Sequence, residues 1–296
     1  MNNLTKRFLT AVVVLPIVLY AIYLGGIWLT LLVLVVVLVG QKEFNRFMEK
    51  KDMVPMVTLS YVLDIALVFV AHFSNEYYLN VILTFSILSI FIVQLSRKDV
   101  KNSLTSIAPT IFSLVYVAWL PAHAILLRNL GFEIISKYGS MVSGVDKLIG
   151  KPDYMGISMI LIVLVATIMN DTGAYFAGRQ FGKHKLAPVV SPKKTWEGAI
   201  AGVFSAMIFT VLTALIIGLN IDIYYLILLG FLLGVFGILG DLSESLLKRD
   251  VDIKDSGTFF PGHGGVLDRI DSLMFNLPVT YYLIKAYFYF EIMKML

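Results

Sequence analysis

Residues 245–271 form the most polar stretch of the sequence, and their types suit a site that binds phosphates and a divalent metal ion. The residues that could bind substrate or take part in catalysis here are Ser245, Lys248, Arg249, Lys254, Asp255, His263, Gly264, Gly265 and Arg269. Glycine N–H groups can approach a phosphate without obstruction by a side chain. Glycines and a lone histidine are weak signals alone, but between basic residues and carboxylates they favour a functional loop.

Two carboxylates that flank this loop are candidate metal ligands. Asp241 lies at the end of a glycine-rich apolar segment, and on a helix it would share a face with Ser245 and Lys248. A carboxylate set deeper than its helix end is costly and is usually paired or bound to a metal. Asp268 begins the next apolar segment, so we expect both carboxylates to face one ion. Oxygen ligands and accompanying phosphates suit Mg²⁺.

A second polar stretch, residues 170–198, also has the composition of an anion site. Its candidate residues are Asn170, Asp171, Ser191, Lys193 and Lys194. A helix is predicted to begin near Thr195, with Thr195 as its N-cap, and a helix N-terminus beside two lysines attracts anions.

Structural interpretations stay open for several of these residues. Lys248 and Arg249 could serve only to offset the dipole at a helix end, and Asp271 could serve only to cap a first turn. Lys193 and Lys194 could mark only the cytoplasmic side of the membrane.

Composition fixes the class of protein. The 296 residues are 58% hydrophobic and only 15% charged, whereas a soluble domain carries about 25% charged residues. Apolar runs of about 20 residues recur, so we predict an all-α, polytopic membrane protein and not a barrel. The absence of cysteine excludes disulfides and thiolate chemistry. We see no cleavable signal peptide and no motif for binding nucleic acid.

About nine membrane spans are predicted. They cover residues 8–24, 27–39, 54–73, 77–95, 107–127, 155–177, 196–219, 224–247 and 270–290. We divide the chain into N-terminal spans, 1–130, and a catalytic region, 131–296, with polar loops at 178–195 and 248–267. The basic loops make that side cytoplasmic by the positive-inside rule, although the outer loop 131–153 also holds three lysines. Glycines in span 224–247 allow tight packing within one protomer or in a homodimer.

The stretch from Ser245 to Asp271 resembles the signature of the phosphatidate cytidylyltransferases, also called CDP-diacylglycerol synthases. The pattern is Ser-x-x-Lys-Arg-x-x-x-x-Lys-Asp-x-Gly-x-x-x-Pro-x-His-Gly-Gly-x-x-Asp-Arg-x-Asp, and every fixed position matches. Residues 170–175 and 191–198 are similar to that family too, so the resemblance covers about the second half of the chain.

This resemblance implies a reaction in which CTP and phosphatidic acid give CDP-diacylglycerol and pyrophosphate with Mg²⁺ at the membrane. As a hypothesis, Asp241, Asp268 and Asp171 hold the metal. The groups assigned to phosphates are Lys193, Lys194, Lys248, Arg249, His263 with its glycine turn, Ser191 and Ser245.

Two other functions stay open. One is a CTP-using enzyme with a different acceptor, such as a polyprenyl or ether lipid, or a CTP-dependent lipid kinase. The other is an ion-coupled transporter with Asp64, Asp171 and Lys285 as a relay, because intramembrane charge often marks function. We interpret Asp64 and Lys285 as buried polar contacts, since nothing nearby in sequence pairs with them.

Overall fold

The computed structural model describes residues 3–73, 76–140, 142–260 and 264–295, without the side chains of residues 3–9, 11, 76 and 146. The helices are α1 Asn3–Leu24, α2 Gly26–Glu49, α3 Val57–His72, α4 Glu76–Arg97, α5 Ser103–Ser113, α6 Leu120–Tyr138, α7 Val145–Ile149, α8 Pro152–Phe181, α9 Trp196–Ile217, α10 Ile223–Asp250 and α11 Leu267–Met293. A π-helical segment, Leu114–Trp119, joins α5 to α6, and two strands, β1 Lys185–Ala187 and β2 Ser191–Thr195, precede α9.

The prediction of an all-α polytopic membrane protein is confirmed. Within the described residues, six helical stretches are long and apolar enough to cross a bilayer, and two shorter apolar helices accompany them. The count of nine spans is not confirmed: the shorter helices, Val12–Leu24 and Val57–His72, fall below the length of those six. The predicted fifth span lies inside one continuous helical stretch, Ser103–Tyr138.

The chain forms two compact units. Unit 1 contains Met1–Ile125 and Leu247–Ile270, and unit 2 contains Leu126–Leu246 and Asp271–Leu296. That residues 1–130 form the N-terminal spans and residues 131–296 form the catalytic region stays a prediction.

The core of unit 1 is built on one face of α2. Val37 and Phe44 are fully buried, and they lie at helical spacing with Gly40. A side chain at Gly40 would meet Leu267 and Val117 at 3.1 and 3.2 Å, so α2 packs closely against the start of α11. This packing brings one end of the polar loop, residues 251–266, against α2.

The core of unit 2 depends on glycines of α10. A Cβ at Gly230 would lie 2.6 Å from the Met207 backbone, and one at Gly234 would lie 2.7 Å from Val203. These glycines therefore admit α9 within the same chain. Their spacing gives no support for a homodimer, because it is used inside the protomer.

A short antiparallel hairpin of β1 and β2 replaces part of the loop predicted at 178–195. Lys185 pairs with Thr195, and Ala187 pairs with Ser191. Thr195 then caps α9, because its hydroxyl accepts the Gly198 N–H at 3.2 Å. The predicted N-cap is thus confirmed, and the hairpin fixes the lysines that precede it.

Candidate active site

Several of the polar residues predicted from sequence, together with side chains that they contact, form two clusters. The loop cluster, in unit 1, comprises Glu43, Lys248, Ser256, Gly265 and Asp268. The hairpin cluster, in unit 2, comprises Lys194, Thr195, Asp241 and Ser245.

Asp268 is the centre of the loop cluster. Its Oδ1 accepts a hydrogen bond from Lys248 Nζ at 2.7 Å, and the two side chains are only 5% and 12% exposed. Its Oδ2 accepts from the backbone N–H groups of Ser256 and Gly265 at 2.8 and 2.7 Å, and from the Ser256 hydroxyl at 2.9 Å. The carboxylate therefore connects Ser256 and Gly265 of the loop to Lys248, near the end of α10.

The pKa of Asp268 reflects this environment. Burial raises the pKa, but the hydrogen bond and charge of Lys248 and the N–H groups of Gly265 and Ser256 outweigh it, so the pKa lies below the ordinary 3.8. Asp268 is thus ionised at neutral pH and forms a true ion pair with Lys248.

Glu43 of α2 holds the same loop from the other side. Its side chain is 2% exposed, and it accepts hydrogen bonds from the N–H groups of Val266 and Leu267 at 2.9 and 3.0 Å. The Ser256 hydroxyl lies 2.9 Å from its Oε2. Sequence analysis missed Glu43, although its spacing from Gly40 and Phe47 places it on the buried face of α2.

The glycines of the loop make room for these two carboxylates. At Gly264, whose φ is +88°, a Cβ would lie 2.5 Å from Asp268 Oδ2. At Gly265 it would lie 2.4 Å from Glu43 Oε2, and the N–H of Gly265 already donates to Asp268. The proposed phosphate contacts of Gly264 and Gly265 stay predictions.

The hairpin cluster contains a second lysine–carboxylate pair. Lys194 Nζ lies 2.6 Å from Asp241 Oδ2, and the side chains are 25% and 31% exposed. The Ser245 hydroxyl donates to Asp241 Oδ1 at 3.3 Å, as their spacing on one helix predicts. This pair is open to solvent and could exchange partners with a ligand.

Glu197, in the first turn of α9, binds the residues that precede β1. Its carboxylate contacts His184 Nδ1 at 2.6 Å and accepts from the N–H groups of Lys183 and His184 at 3.1 and 3.2 Å. An acidic residue in the first turn of α9 thereby fixes the turn that leads into β1.

Asn170 of α8 is fully buried, and both polar atoms of its amide lack a hydrogen-bond partner among the described residues. Its Oδ1 lies against Gly202 and its Nδ2 lies against Gly237, where added Cβ atoms would be 2.7 and 3.3 Å away. A buried amide without partners is costly. Its role in substrate binding stays a prediction.

The other predicted site residues lie at the surface or outside the described chain. Arg249, Lys254, Asp255, Arg269, Lys193 and Asp171 are exposed, and Ser191 is half-buried in β2. Arg249 Nη1 donates to the Ile253 carbonyl at 3.2 Å. His263 lies outside the described residues.

The predicted ends of two spans lie a few residues before the ends of the helices. Asp241 lies inside α10, which continues to Asp250, past the predicted end at residue 247. Asn170 and Asp171 lie inside α8, which continues to Phe181, past the predicted end at residue 177. Continuous hydrogen bonding carries both helices past the end of their apolar sequence, so hydropathy alone set their ends too early.

Lys285, which has no partner nearby in sequence, has one far along the chain. Its Nζ lies 2.5 Å from Glu133 Oε1 and 3.0 Å from the Tyr281 hydroxyl, which itself donates to Glu133 Oε2. The interpretation of Lys285 as a buried polar contact is therefore supported by its contacts. Asp64 is fully buried and without a hydrogen-bond partner among the described residues.

The carboxylates differ in their fit to a divalent ion. No group of three or more His, Asp or Glu side chains within the described residues is arranged to hold a metal. Asp241 fits in part, because it is partly exposed and its Oδ1 accepts only the longer hydrogen bond, from Ser245. Asp268 already accepts four hydrogen bonds and would have to exchange Lys248 for the ion.

The fold is that of a helical membrane protein, and each of its two polar clusters contains a lysine–carboxylate ion pair. The sequence matches the Cytidylyltransferase family over residues 5–287, so the chain belongs to that family. It is 34% identical to the phosphatidate cytidylyltransferase of Staphylococcus haemolyticus over 92% of this chain and 96% of the relative. It is 45% identical to the phosphatidate cytidylyltransferase of Bacillus subtilis over 46% of this chain and 50% of the relative.

Proposed function

We propose that the protein transfers the CMP moiety of CTP to phosphatidic acid, giving CDP-diacylglycerol and pyrophosphate for phospholipid biosynthesis. The observation that carries the proposal is the complete signature from Ser245 to Asp271, two of whose fixed residues, Lys248 and Asp268, form a buried ion pair. The names of the relatives and the family membership agree with it.

The reaction needs positioning and charge neutralisation more than it needs a protein nucleophile. An oxygen of the lipid phosphate attacks the α-phosphorus of CTP, a bond forms there, and the bond to the β-phosphate breaks. Pyrophosphate leaves with the electron pair, so no covalent enzyme intermediate is required. Lys193, Lys194 and Arg249 supply positive charge for the phosphates, and Lys248 does so while it holds Asp268.

Mg²⁺ is part of the proposal, with Asp241, Asp268 and Asp171 as its ligands. Bound Mg²⁺ would offset charge on the phosphates. The exposure of Asp171 and the partial exposure of Asp241 support their roles, whereas Asp268 would first have to release Lys248.

We place the protein in the cell membrane, with both clusters on the cytoplasmic side, where CTP is available. The basic loops support this orientation. Lipid phosphate would then meet the nucleotide at the headgroup level. A homodimer has no support from the packing described above.

Purified protein in detergent tests the function directly. Labelled CTP and Mg²⁺ are incubated with phosphatidic acid, with a polyprenyl phosphate, or with diacylglycerol or a polyprenol. We expect pyrophosphate release and a labelled lipid only with phosphatidic acid. Product from the polyprenyl phosphate would indicate another acceptor, and release of CDP with a phosphorylated alcohol would indicate a lipid kinase. Ion flux in liposomes without CTP would instead favour a transporter.

A further inference from the structure

Glu43 is a carboxylate buried on α2, more than 200 residues before the loop that it contacts. We propose that Glu43 is a positioning residue for the transfer reaction, acting through Ser256 and the start of α11 on the Lys248–Asp268 pair. This inference rests on the proposed function, because it assigns a role in that reaction to a residue outside the family signature.

The carboxylate of Glu43 acts as an N-cap supplied from another helix. The N–H groups of Val266 and Leu267 begin α11 and have no acceptor in their own helix, and both donate to Glu43. Asp268 follows directly, so its backbone position is set by these two hydrogen bonds. A negative charge at a helix N-terminus also interacts favourably with the helix dipole.

Ser256 connects Glu43 to Asp268. Its hydroxyl oxygen lies 2.9 Å from Glu43 Oε2 and 2.9 Å from Asp268 Oδ2, but a hydroxyl has one hydrogen to donate. The same oxygen accepts the Asp268 N–H at 3.4 Å. A change in the charge or position of Glu43 therefore alters which of the two carboxylates accepts the hydrogen bond of the Ser256 hydroxyl. The hydrogen bonding of Asp268 changes as a result.

The loop sequence is adapted to Glu43. A Cβ at Gly257 would lie 2.4 Å from Glu43 Oε1, and one at Gly265 would lie 2.4 Å from Glu43 Oε2. Two glycines of the loop thus leave space for this one side chain.

The test is steady-state kinetics of Glu43→Gln in detergent, per mole of folded protein, with CTP and phosphatidic acid varied in turn. The amide places an NH₂ group against the N–H donors of α11, so the loop must shift. We expect kcat to fall about 10²-fold, because small misplacements at a reacting centre cost that much. The KM for phosphatidic acid should stay within about threefold. Glu43→Asp, which keeps the charge on a shorter arm, should recover part of kcat.

A stability control separates positioning from folding. Val37→Ala alters a fully buried residue on the same helix, six residues before Glu43, so it should lower the unfolding midpoint and leave kcat unchanged. If Glu43→Gln lowers the midpoint but keeps wild-type kcat and KM, the proposal is wrong. Unchanged kinetics with an unchanged midpoint would also overturn it.

Two further variants decide the matter if Glu43→Gln does not fold. Ser256→Ala removes the connecting hydroxyl, and Gly257→Ala displaces Glu43; each should lower kcat about tenfold or more. Wild-type kcat in both would overturn the inference. All variants are compared with the wild type in whichever acceptor reaction it catalyses, so an inactive acceptor arm speaks only against the proposed substrate.

Discussion

The lysine–carboxylate pairs of the loop cluster and the hairpin cluster have the same chemistry and different surroundings. Lys248 and Asp268 are 2.7 Å apart and almost fully buried, and Asp268 accepts three further hydrogen bonds from the loop. Lys194 and Asp241 are 2.6 Å apart, but each is a quarter or more exposed, and one long hydrogen bond from Ser245 accompanies them.

We expect the buried pair to hold the loop in place and the partly exposed pair to contact substrate. A buried ion pair that loses one partner leaves an uncompensated charge, so the Lys248–Asp268 pair is hard to open. An exposed pair contributes little to stability and exchanges easily with other ions. We therefore expect changes to the Lys248–Asp268 pair to act on stability and turnover together, and changes to the Lys194–Asp241 pair to act on turnover alone.

The largest effect is expected for Asp241→Asn. Removing this charge should lower turnover about 10³-fold, the scale of one lost electrostatic contact to a transition state. The unfolding midpoint should change little, because the pair is exposed. Pyrophosphate release and thermal unfolding in the same detergent measure the two quantities.

Glu291→Gln is the matched control for Asp241→Asn. Glu291 forms an exposed ion pair with Lys294 in unit 2, at 2.6 Å, and should change neither quantity. Near-normal turnover of Asp241→Asn would remove Asp241 from the site. A large loss of stability would contradict the distinction between the two pairs.

The next effect is the destabilisation expected for Asp268→Asn. Lys248 would keep its charge in a buried position, so the free energy of unfolding should fall by about 3 kcal/mol, with a loss of turnover. Replacing both partners, by Asp268→Asn with Lys248→Met, should recover much of that stability without turnover. Chemical unfolding in detergent measures it, and no recovery in the double variant would show that the loop hydrogen bonds, and not the ion pair, dominate.

Part of this arrangement is readable from the sequence. The signature and the Thr195 N-cap identify the polar loop and the start of α9, because capping and glycine-rich loops have local signals. The contact of Ser245 with Asp241 follows from helical spacing alone.

The remainder depends on contacts between distant parts of the chain. Glu43 lies in a segment that hydropathy describes only as the end of a span, and its partners are more than 200 residues away. Glu133 as the partner of Lys285 is likewise non-local. Whether a carboxylate can bind a metal depends on the groups that surround it. For Asp268 these groups lie 12 and 20 residues away in Ser256 and Lys248, so the local sequence does not predict them.

A smaller effect is the pH dependence of the buried pair. The folded-state pKa of Asp268 lies below its ordinary 3.8, so its contribution to stability is present above that pH and is lost as pH falls through the lowered folded pKa. The gap in unfolding midpoint between wild type and Asp268→Asn should be constant from neutral pH to about pH 5 and should shrink below 3.8. Asp252→Asn, exposed in the same loop, should show no such closing gap.

The smallest effect is expected for Ser245→Ala. The hydroxyl donates to Asp241 at 3.3 Å, longer than the usual O–H···O range, so it orients the carboxylate only weakly. If orientation is its whole role, turnover should fall about fivefold, equal to about 1 kcal/mol for one hydrogen bond. A larger fall, of about 10²-fold or more, together with a raised KM for CTP, would mean that Ser245 donates to a phosphate instead, since hydrogen bonds to charged groups are stronger.

Ser243→Ala is the control, because that hydroxyl donates to the Leu239 carbonyl of its own helix, at 2.7 Å. With that larger fall, Asp241 and Ser245, one turn apart on α10, would both contact substrate. The contrast between the Lys194–Asp241 pair and the buried pair would then be sharper.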